Sequence, residues 1–424
     1  MAAERKQPRQ PATRTDVQVQ LIKDAFRNRR PRVTIVDARF TRGPKAGQVD
    51  FLYEQGSILT RPADAERVTE ILLRGLPRRR RPDLRLPGAT SGVVRLRLEG
   101  GAFDDAVAAL EAVEAELGVG VATPNHVLSI TPVTACPATE PEEVDPGAIP
   151  DPGVCPSGGN GARVLIHVLD TGLVDGAATD HTWLGGVTGD RDPVAGGRIE
   201  SYTGHGTFIA GVARCMAPAA EVFVRRAFAF AGATLEIDFV KEMETALAAG
   251  ADVISLSAGT STRHDVPLLA FETAWRTRFQ FHKGVVLVAA AGNNSDRRPF
   301  WPAAFDGVVS VGALDANRRN RAFFSGHGGW VDVYAPGEGL VNAFATGDFT
   351  CKEPPYVNQV RHFEGMARWS GTSFSTPLVA GLIAGRMSSE GENGRLAAEA
   401  LLARARAERM AAVGPVLLPC LDSR

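Results

Sequence analysis

The sequence predicts an α/β protein: a mostly parallel sheet with helices on both faces, preceded by a small α+β domain. Three observations carry this expectation. Beyond residue 160, short runs of continuous apolar residues alternate with helical segments, as strands buried on both faces require. Between residues 51 and 130 the pattern runs strand, helix, strand, helix, strand, as in a ferredoxin-like domain. Residues 131–160 are dense in Pro, Gly, Asp and Glu, and form the clearest boundary in the chain.

The elements follow in order. Residues 1–50 are rich in Arg and Pro and weakly periodic, and are expected to be a basic, mobile arm. Ile58-Leu59-Thr60 reads as a strand, and Pro62-Ala63-Asp64 opens a helix through Val68, Ile71 and Leu72. Arg78-Arg79-Arg80-Arg81 is a solvated loop, open to proteases by its chemistry. Val93 to Leu98 alternates as a half-buried strand does, Phe103–Leu117 is an amphipathic helix, and Val119–Leu128 returns as a strand.

After the linker, the buried strands are Val164–Leu169, Glu221–Val224, Val253–Ser257, Val285–Ala289 and Val308–Val311. Helices are expected over Thr207–Arg214, Phe239–Ala249, Leu268–Arg278 and Thr376–Arg386, with a last one near Arg395–Ala411. Ligands of such a sheet belong at the carboxyl ends of its strands.

Composition narrows the partners. A hydrophobic content of 44% and charged content of 22% suit a globular enzyme, and 424 residues can bury a large core. The net charge of -1 gives no reason to expect nucleic acid or an anionic membrane. No run approaches the roughly twenty apolar residues of a membrane span. The first ten residues are polar, and Val33–Val36 after Arg29-Arg30 is too short for an export signal. A cytoplasmic location is expected, with secretion left open if the start is misassigned. The cysteines Cys136, Cys155, Cys215, Cys351 and Cys420 match neither a disulfide framework nor a zinc set. Free thiols are expected in a reducing cytosol, although Cys136 and Cys155 flank one linker and could pair under oxidising conditions.

Four polar landmarks sit where strands and helices meet. Asp170-Thr171-Gly172 follows a strand, where a carboxylate can orient a partner or simply make a turn. Gly204-His205-Gly206-Thr207 precedes a helix of small residues; the glycines let other segments approach the imidazole, which is otherwise an ordinary structural histidine. Asn293 ends Ala289-Ala290-Ala291-Gly292-Asn293 and can aim its amide at a developing oxyanion or serve only a turn. Gly371-Thr372-Ser373-Phe374-Ser375-Thr376-Pro377 opens an apolar helix near Ser373, with Pro377 tolerable only in the first turn. A hydroxyl there is either a helix cap or a nucleophile among unpaired amides.

In the order Asp170, His205, Asn293, Ser373 these blocks supply an orienter, a base, an oxyanion donor and a nucleophile. Together they resemble the subtilisin-like serine proteases, the subtilase family, over roughly residues 160–390; that family's Asp, His, Ser order is a well-known reference case. The resemblance implies a subtilisin-like catalytic domain at 161–424 and a serine endopeptidase with Asp170, His205 and Ser373 as triad and Asn293 in the oxyanion hole. It implies substrate binding by strand addition along Ser257-Ala258-Gly259, with Gly292 on a second wall. Phe300 aligns near the floor of the pocket, where a small residue is common, so a shallow pocket is expected. Residues 51–130 resemble the family's prodomain, ending in Thr123-Pro124-Asn125-His126-Val127. That implies an intramolecular inhibitor and an autoprocessed zymogen, cut in the linker after about Leu128.

The substrate implied is a protein or peptide. No cofactor or metal is expected: a structural calcium is a family possibility, but Asp180 stands alone as a ligand candidate. Phe208 occupies a position where many members carry a second histidine. A sedolisin-type peptidase would use Glu as base, against the intact Gly-His205-Gly-Thr block. A catalytically silent peptide-binding or regulatory module is the alternative of another class; its usual mark is loss of Ser, His or Asp, and none is lost.

Overall fold

The structure is a computed structural model, and it describes residues 14–86, 92–130, 139–145, 147–156 and 160–419. Among these, seven strands form one parallel sheet in the order Val333–Pro336, Val309–Leu314, Val286–Ala290, Val253–Leu256, Leu165–Asp170, Glu221–Arg226, Thr188–Gly189. Successive side chains alternate between its faces, which is why the strands read as unbroken apolar runs. Ile166, Val168, Val286 and Val288 pack with Phe208, Val212, Leu378 and Ile383 of the helices His205–Met216 and Thr372–Glu390. Leu169, Ile254, Leu256, Leu287 and Ala289 pack on the other side with Phe239, Met243 and Phe271 of the helices Glu236–Ala248 and Leu269–Thr277. The α/β class therefore stands as the sequence predicts.

Several strands lie beyond the sequence reading, among them the sheet's two edge strands Val333–Pro336 and Thr188–Gly189, which are only four and two residues long, and a hairpin outside the sheet. Leu340–Thr350 and Val360–Trp369 form an antiparallel hairpin. In the hairpin, exposed and buried residues alternate along most of Val360–Trp369 and the second half of Leu340–Thr350. The buried first half of the latter is interrupted by Asn342, so the hairpin lacks the continuous apolar run that marks the sheet.

The 51–130 segment is an antiparallel sheet carrying the helices Ala65–Leu72 and Ala106–Leu117. Asp105 caps the second helix, its carboxylate accepting from the amides of Val107 and Ala108 at 2.8 and 3.3 Å. The four-arginine loop is one exposed turn around Arg78–Arg80.

The expected mobile arm is different from residue 14 on. Arg14–Arg27 is a helix, and Ile35–Arg39 pairs with Val49–Thr60 as a further strand. Val19, Ile22 and Phe26 are buried against Leu52, Val127 and Leu235. These residues sit at i, i+3 and i+7, a short apolar stripe within a stretch whose Arg and Pro content dominates a composition reading. Residues 1–13 lie outside the described residues.

The linker is anchored where it is described. Glu142 and Arg368 exchange backbone hydrogen bonds at 2.9 Å each, and Asp151 does the same with Val341 at 2.9 and 3.0 Å. The expectation of free thiols fails at Cys155, which is disulfide-bonded. Cys136 and Cys420 lie outside the described residues. Cys215 and Cys351 are free and buried, and burial pushes the Cys215 thiol up to about 12. No helix among the described residues is long and apolar enough to cross a membrane.

Candidate active site

Asp170 is the last residue of the central strand Leu165–Asp170 and is fully buried. His205 is the first residue of its helix, entered through Gly204 at φ +87°. The glycine after it allows close approach: a Cβ on Gly206 would lie 2.4 Å from the Gly172 carbonyl. The helix thus abuts the turn that follows Asp170, and His205 Nδ1–H donates to Asp170 Oδ1 at 2.8 Å. That bond selects the tautomer with Nε2 as acceptor. Asp170 Oδ1 also accepts from the Thr171 amide at 2.8 Å. His205 Nε2 and Asp170 Oδ2 are buried without a hydrogen-bond partner.

The imidazole is walled by aromatic rings. Trp369 meets it edge-on with centroids 5.3 Å apart, and Phe374 lies at 5.4 Å. Phe208 packs on Phe374 at 4.5 Å, so the Phe at this position completes an apolar wall behind the base. Since Phe374 directly follows Ser373, the same contact brings the start of the serine helix beside His205.

Ser373 is the second residue of the helix Thr372–Glu390 and is 1% exposed. Pro377 is the sixth residue, beyond the first turn in which the sequence reading placed it. Its missing N–H deprives the Ser373 carbonyl of a helical donor. Ser257 Oγ replaces that donor, reaching the Ser373 carbonyl at 2.7 Å. In return Ser373 Oγ reaches the Ser257 carbonyl, at a long 3.5 Å. Ser373 and His205 are therefore neighbours through Phe374, with no hydrogen bond between the hydroxyl and Nε2 in this state.

Asn293 follows the strand Val286–Ala290 through Gly292, which sits at φ +83°. Its Oδ1 accepts from the Thr372 amide and from Thr372 Oγ1, both at 2.9 Å. The acceptor end of the amide is thus committed to the residue before Ser373, which fixes how the side chain is turned.

Asp192 escaped the sequence reading. It is buried, and its Oδ2 accepts from Thr171 Oγ1 at 2.9 Å and from the Gly204 amide at 2.8 Å. Thr171 Oγ1 in turn accepts from the Gly206 amide at 3.1 Å. One carboxylate therefore ties together the residues adjoining Asp170 and His205. Burial pushes it up to about 6, against which the Gly204 and Thr171 hydrogen bonds act. Gly-Asp-Arg-Asp-Pro reads as an ordinary polar loop, so no local signal marks it.

The segment Ser257-Ala258-Gly259 lies at the sheet's carboxyl edge. Ala258 faces the core, so it offers backbone only. Gly259 and Ser129 exchange hydrogen bonds at 3.0 and 3.1 Å, and the Ile130 amide donates to the Gly232 carbonyl at 2.9 Å. Ala233–Leu235 pairs antiparallel with Val127–Ser129 on the other side. The end of the N-terminal domain is thus an added strand between two segments of the larger domain. Among the described residues, no cluster of three or more His, Cys, Asp or Glu side chains could hold a metal ion.

Comparison with known proteins places the larger domain in a family. The model of the Subtilase family matches residues 161–408. The chain is 33% identical over 244 residues to a thermophilic serine proteinase of Bacillus sp. (strain AK1), covering 54% of this chain and 53% of that protein. It therefore spans about half the length of that relative. It is 32% identical over 247 residues to thermitase of Thermoactinomyces vulgaris, covering 55% of this chain and 77% of that protein. The crystal structure of fervidolysin from Fervidobacterium pennivorans shares the fold, at 19% identity and a TM-score of 0.51, over 82% of this chain and 57% of that one.

Proposed function

The chain belongs to the subtilase family, and from that premise we propose that it is a serine endopeptidase acting on proteins or peptides through an acyl-enzyme at Ser373. The observation that carries the reading is the His205–Asp170 hydrogen bond of 2.8 Å beside the buried start of the serine helix.

A substrate strand adding to Ser257–Gly259 donates a backbone N–H to the Ser257 carbonyl. That releases Ser373 Oγ from its long contact there and lets it turn to His205 Nε2. Oγ attacks the scissile carbonyl while Nε2 takes its proton, which later passes to the leaving amine. Asp170 holds the imidazole and stabilises its charged form. The negative charge forms beside the Asn293 amide and the Ser373 backbone N–H, fixed dipoles that need no reorganisation.

The N-terminal domain fits the role of an intramolecular inhibitor. Its last strand occupies the positions a substrate strand would take, at Gly259 and Gly232. Charged pairs join it to the larger domain: Arg61 to Glu272 at 2.6 Å, Arg298 to Asp50 at 2.6 Å, and Glu114 to Arg263 at 2.8 Å. Cutting within the linker 131–160 would then convert a silent precursor into an active enzyme.

Labelling with a small fluorophosphonate tests the peptidase reading, with Ser373→Ala as control. Labelling of wild type alone supports it; a folded, fully processed wild type that stays unlabelled favours the catalytically silent module. Mass spectrometry of the same pair tests autoprocessing, which requires a break between residues 128 and 160 in wild type only.

A further inference from the structure

We infer that Phe300 closes the pocket for the substrate residue whose carbonyl is attacked, so that this residue must be small: Gly, Ala or Ser. The inference rests on the peptidase reading above and adds the substrate class.

The position of that residue follows from register. Ser129 stands opposite Gly259 in an antiparallel bridge. A substrate strand in the same register has its next-but-one residue opposite Ser257, whose carbonyl lies 3.5 Å from Ser373 Oγ. That residue carries the carbonyl nearest the nucleophile. Directly opposed residues in an antiparallel pair point to one face, and so do residues two apart along a strand. The attacked residue therefore points its side chain to the face toward which Gly259 would point a Cβ.

Phe300 occupies that face. A Cβ on Gly259 would lie 2.5 Å from Phe300 Cε1 and 2.9 Å from Cδ1. A Cβ on Gly292, in the opposite wall, would lie 3.0 Å from both Cγ and Cδ1 of the same ring. The ring is thus sandwiched between the two glycine walls, and it is 5% exposed. Its place is set from the backbone: Thr260 and Trp301 exchange hydrogen bonds at 2.8 and 2.9 Å, tying the residue after Phe300 to the residue after Gly259. A large substrate side chain would have to occupy space the ring already fills, in a region packed to interior density.

The test uses the protein expressed as the full chain and processed in the linker, with peptidyl phosphonate probes that differ only in carrying Ala or Phe beside the reactive phosphorus. The rate of Ser373 modification is followed by intact mass, after the small fluorophosphonate has shown the serine competent. Wild type is expected to favour the Ala probe by about tenfold or more, the scale of a pocket that lacks room for a few carbons. Phe300→Ala is expected to erase or reverse that preference, and Phe300→Leu, which keeps more of the packing, to reduce it. The inference is overturned if wild type reacts as fast with the Phe probe, if it fails to react with the Ala probe, or if both folded variants keep the wild-type ratio. A folded, fully processed wild type untouched by the fluorophosphonate brings down the peptidase reading itself, and this inference with it.

Discussion

Asn293 Oδ1 accepts two hydrogen bonds from Thr372, one from its amide and one from its hydroxyl, both at 2.9 Å. The residue before the nucleophile thereby sets the orientation of the amide assigned to the oxyanion. Asn293→Ala is expected to lower kcat by about 10²–10³ with little change in KM, because its donor acts on charge absent from the ground state. Asn293→Asp should be at least as damaging, since a carboxylate keeps the acceptor and loses the donor. Thr372→Val leaves the amide bond in place, so a loss of about tenfold or less is expected. Steady-state kinetics on a peptide amide will separate them; wild-type kcat in Asn293→Ala would remove Asn293 from the mechanism.

Asp192 makes stability depend on pH in an unusual direction. Burial raises its pKa from 3.8 to about 6, so folding favours the protonated carboxyl. The stabilisation is complete below 3.8 and is lost as pH rises through about 6. Asp192→Asn keeps an oxygen for Thr171 and Gly204 and has no proton to lose. Relative to wild type it should gain up to roughly 3 kcal/mol between pH 4 and 7. Urea unfolding in a Ser373→Ala background, which prevents autolysis, will show it; parallel pH profiles for the two proteins would refute the assignment.

His167 is the opposite case. It is buried against Phe223, with ring centroids 5.1 Å apart, and neither ring nitrogen has a partner. Burial, and then the charge of Arg225, push it down to about 4. The neutral ring's contribution is present above 6.5 and is lost as pH falls through about 4. His167→Phe is expected to flatten that window and to raise stability by about 1 kcal/mol, since no buried polar atom is left unpaired. An unfolding midpoint lower than wild type at pH 7 would count against it.

Gly211 lies in the His205 helix where a Cβ would fall 1.9 Å from Asn342 Oδ1. That oxygen already accepts from Trp183 Nε1 at 3.0 Å and from the Ala343 amide at 2.9 Å, so it has little freedom to move. Gly211→Ala should cost about 1–3 kcal/mol and lower kcat as the helix shifts. Gly329→Ala, where nothing lies within 4 Å, is the matched control and should be neutral. Equal melting temperatures for the two variants would show that the helix adapts freely.

The five inner strands of the parallel sheet, unlike the edge strands Thr188–Gly189 and Val333–Pro336, which are too short, were legible because they leave nearly unbroken apolar runs such as Val-Leu-Val-Ala-Ala at 286–290. The Leu340–Thr350 and Val360–Trp369 hairpin was not, because alternation interrupted by a bulge between Ala343 and Thr346 blurs the period. The helix at Arg14–Arg27 was hidden for a different reason. Its apolar stripe is narrow, and its anchors are remote: Glu353, which pairs with Arg14 and Gln18, stands more than three hundred residues away.

Residue types and their local spacing offered Asp170, His205, Asn293 and Ser373 as candidates, each near a glycine where strands and helices meet, and the resemblance to a family gave them their roles. Distance along the chain carries no information about what meets across the fold. Only the packed structure makes the Ser257 hydroxyl replace the donor lost at Pro377, binds Asp192 to the residues adjoining Asp170 and His205, and lays Phe300 between Gly259 and Gly292. These are contacts between segments fixed by burial and register, and no window of sequence contains both partners.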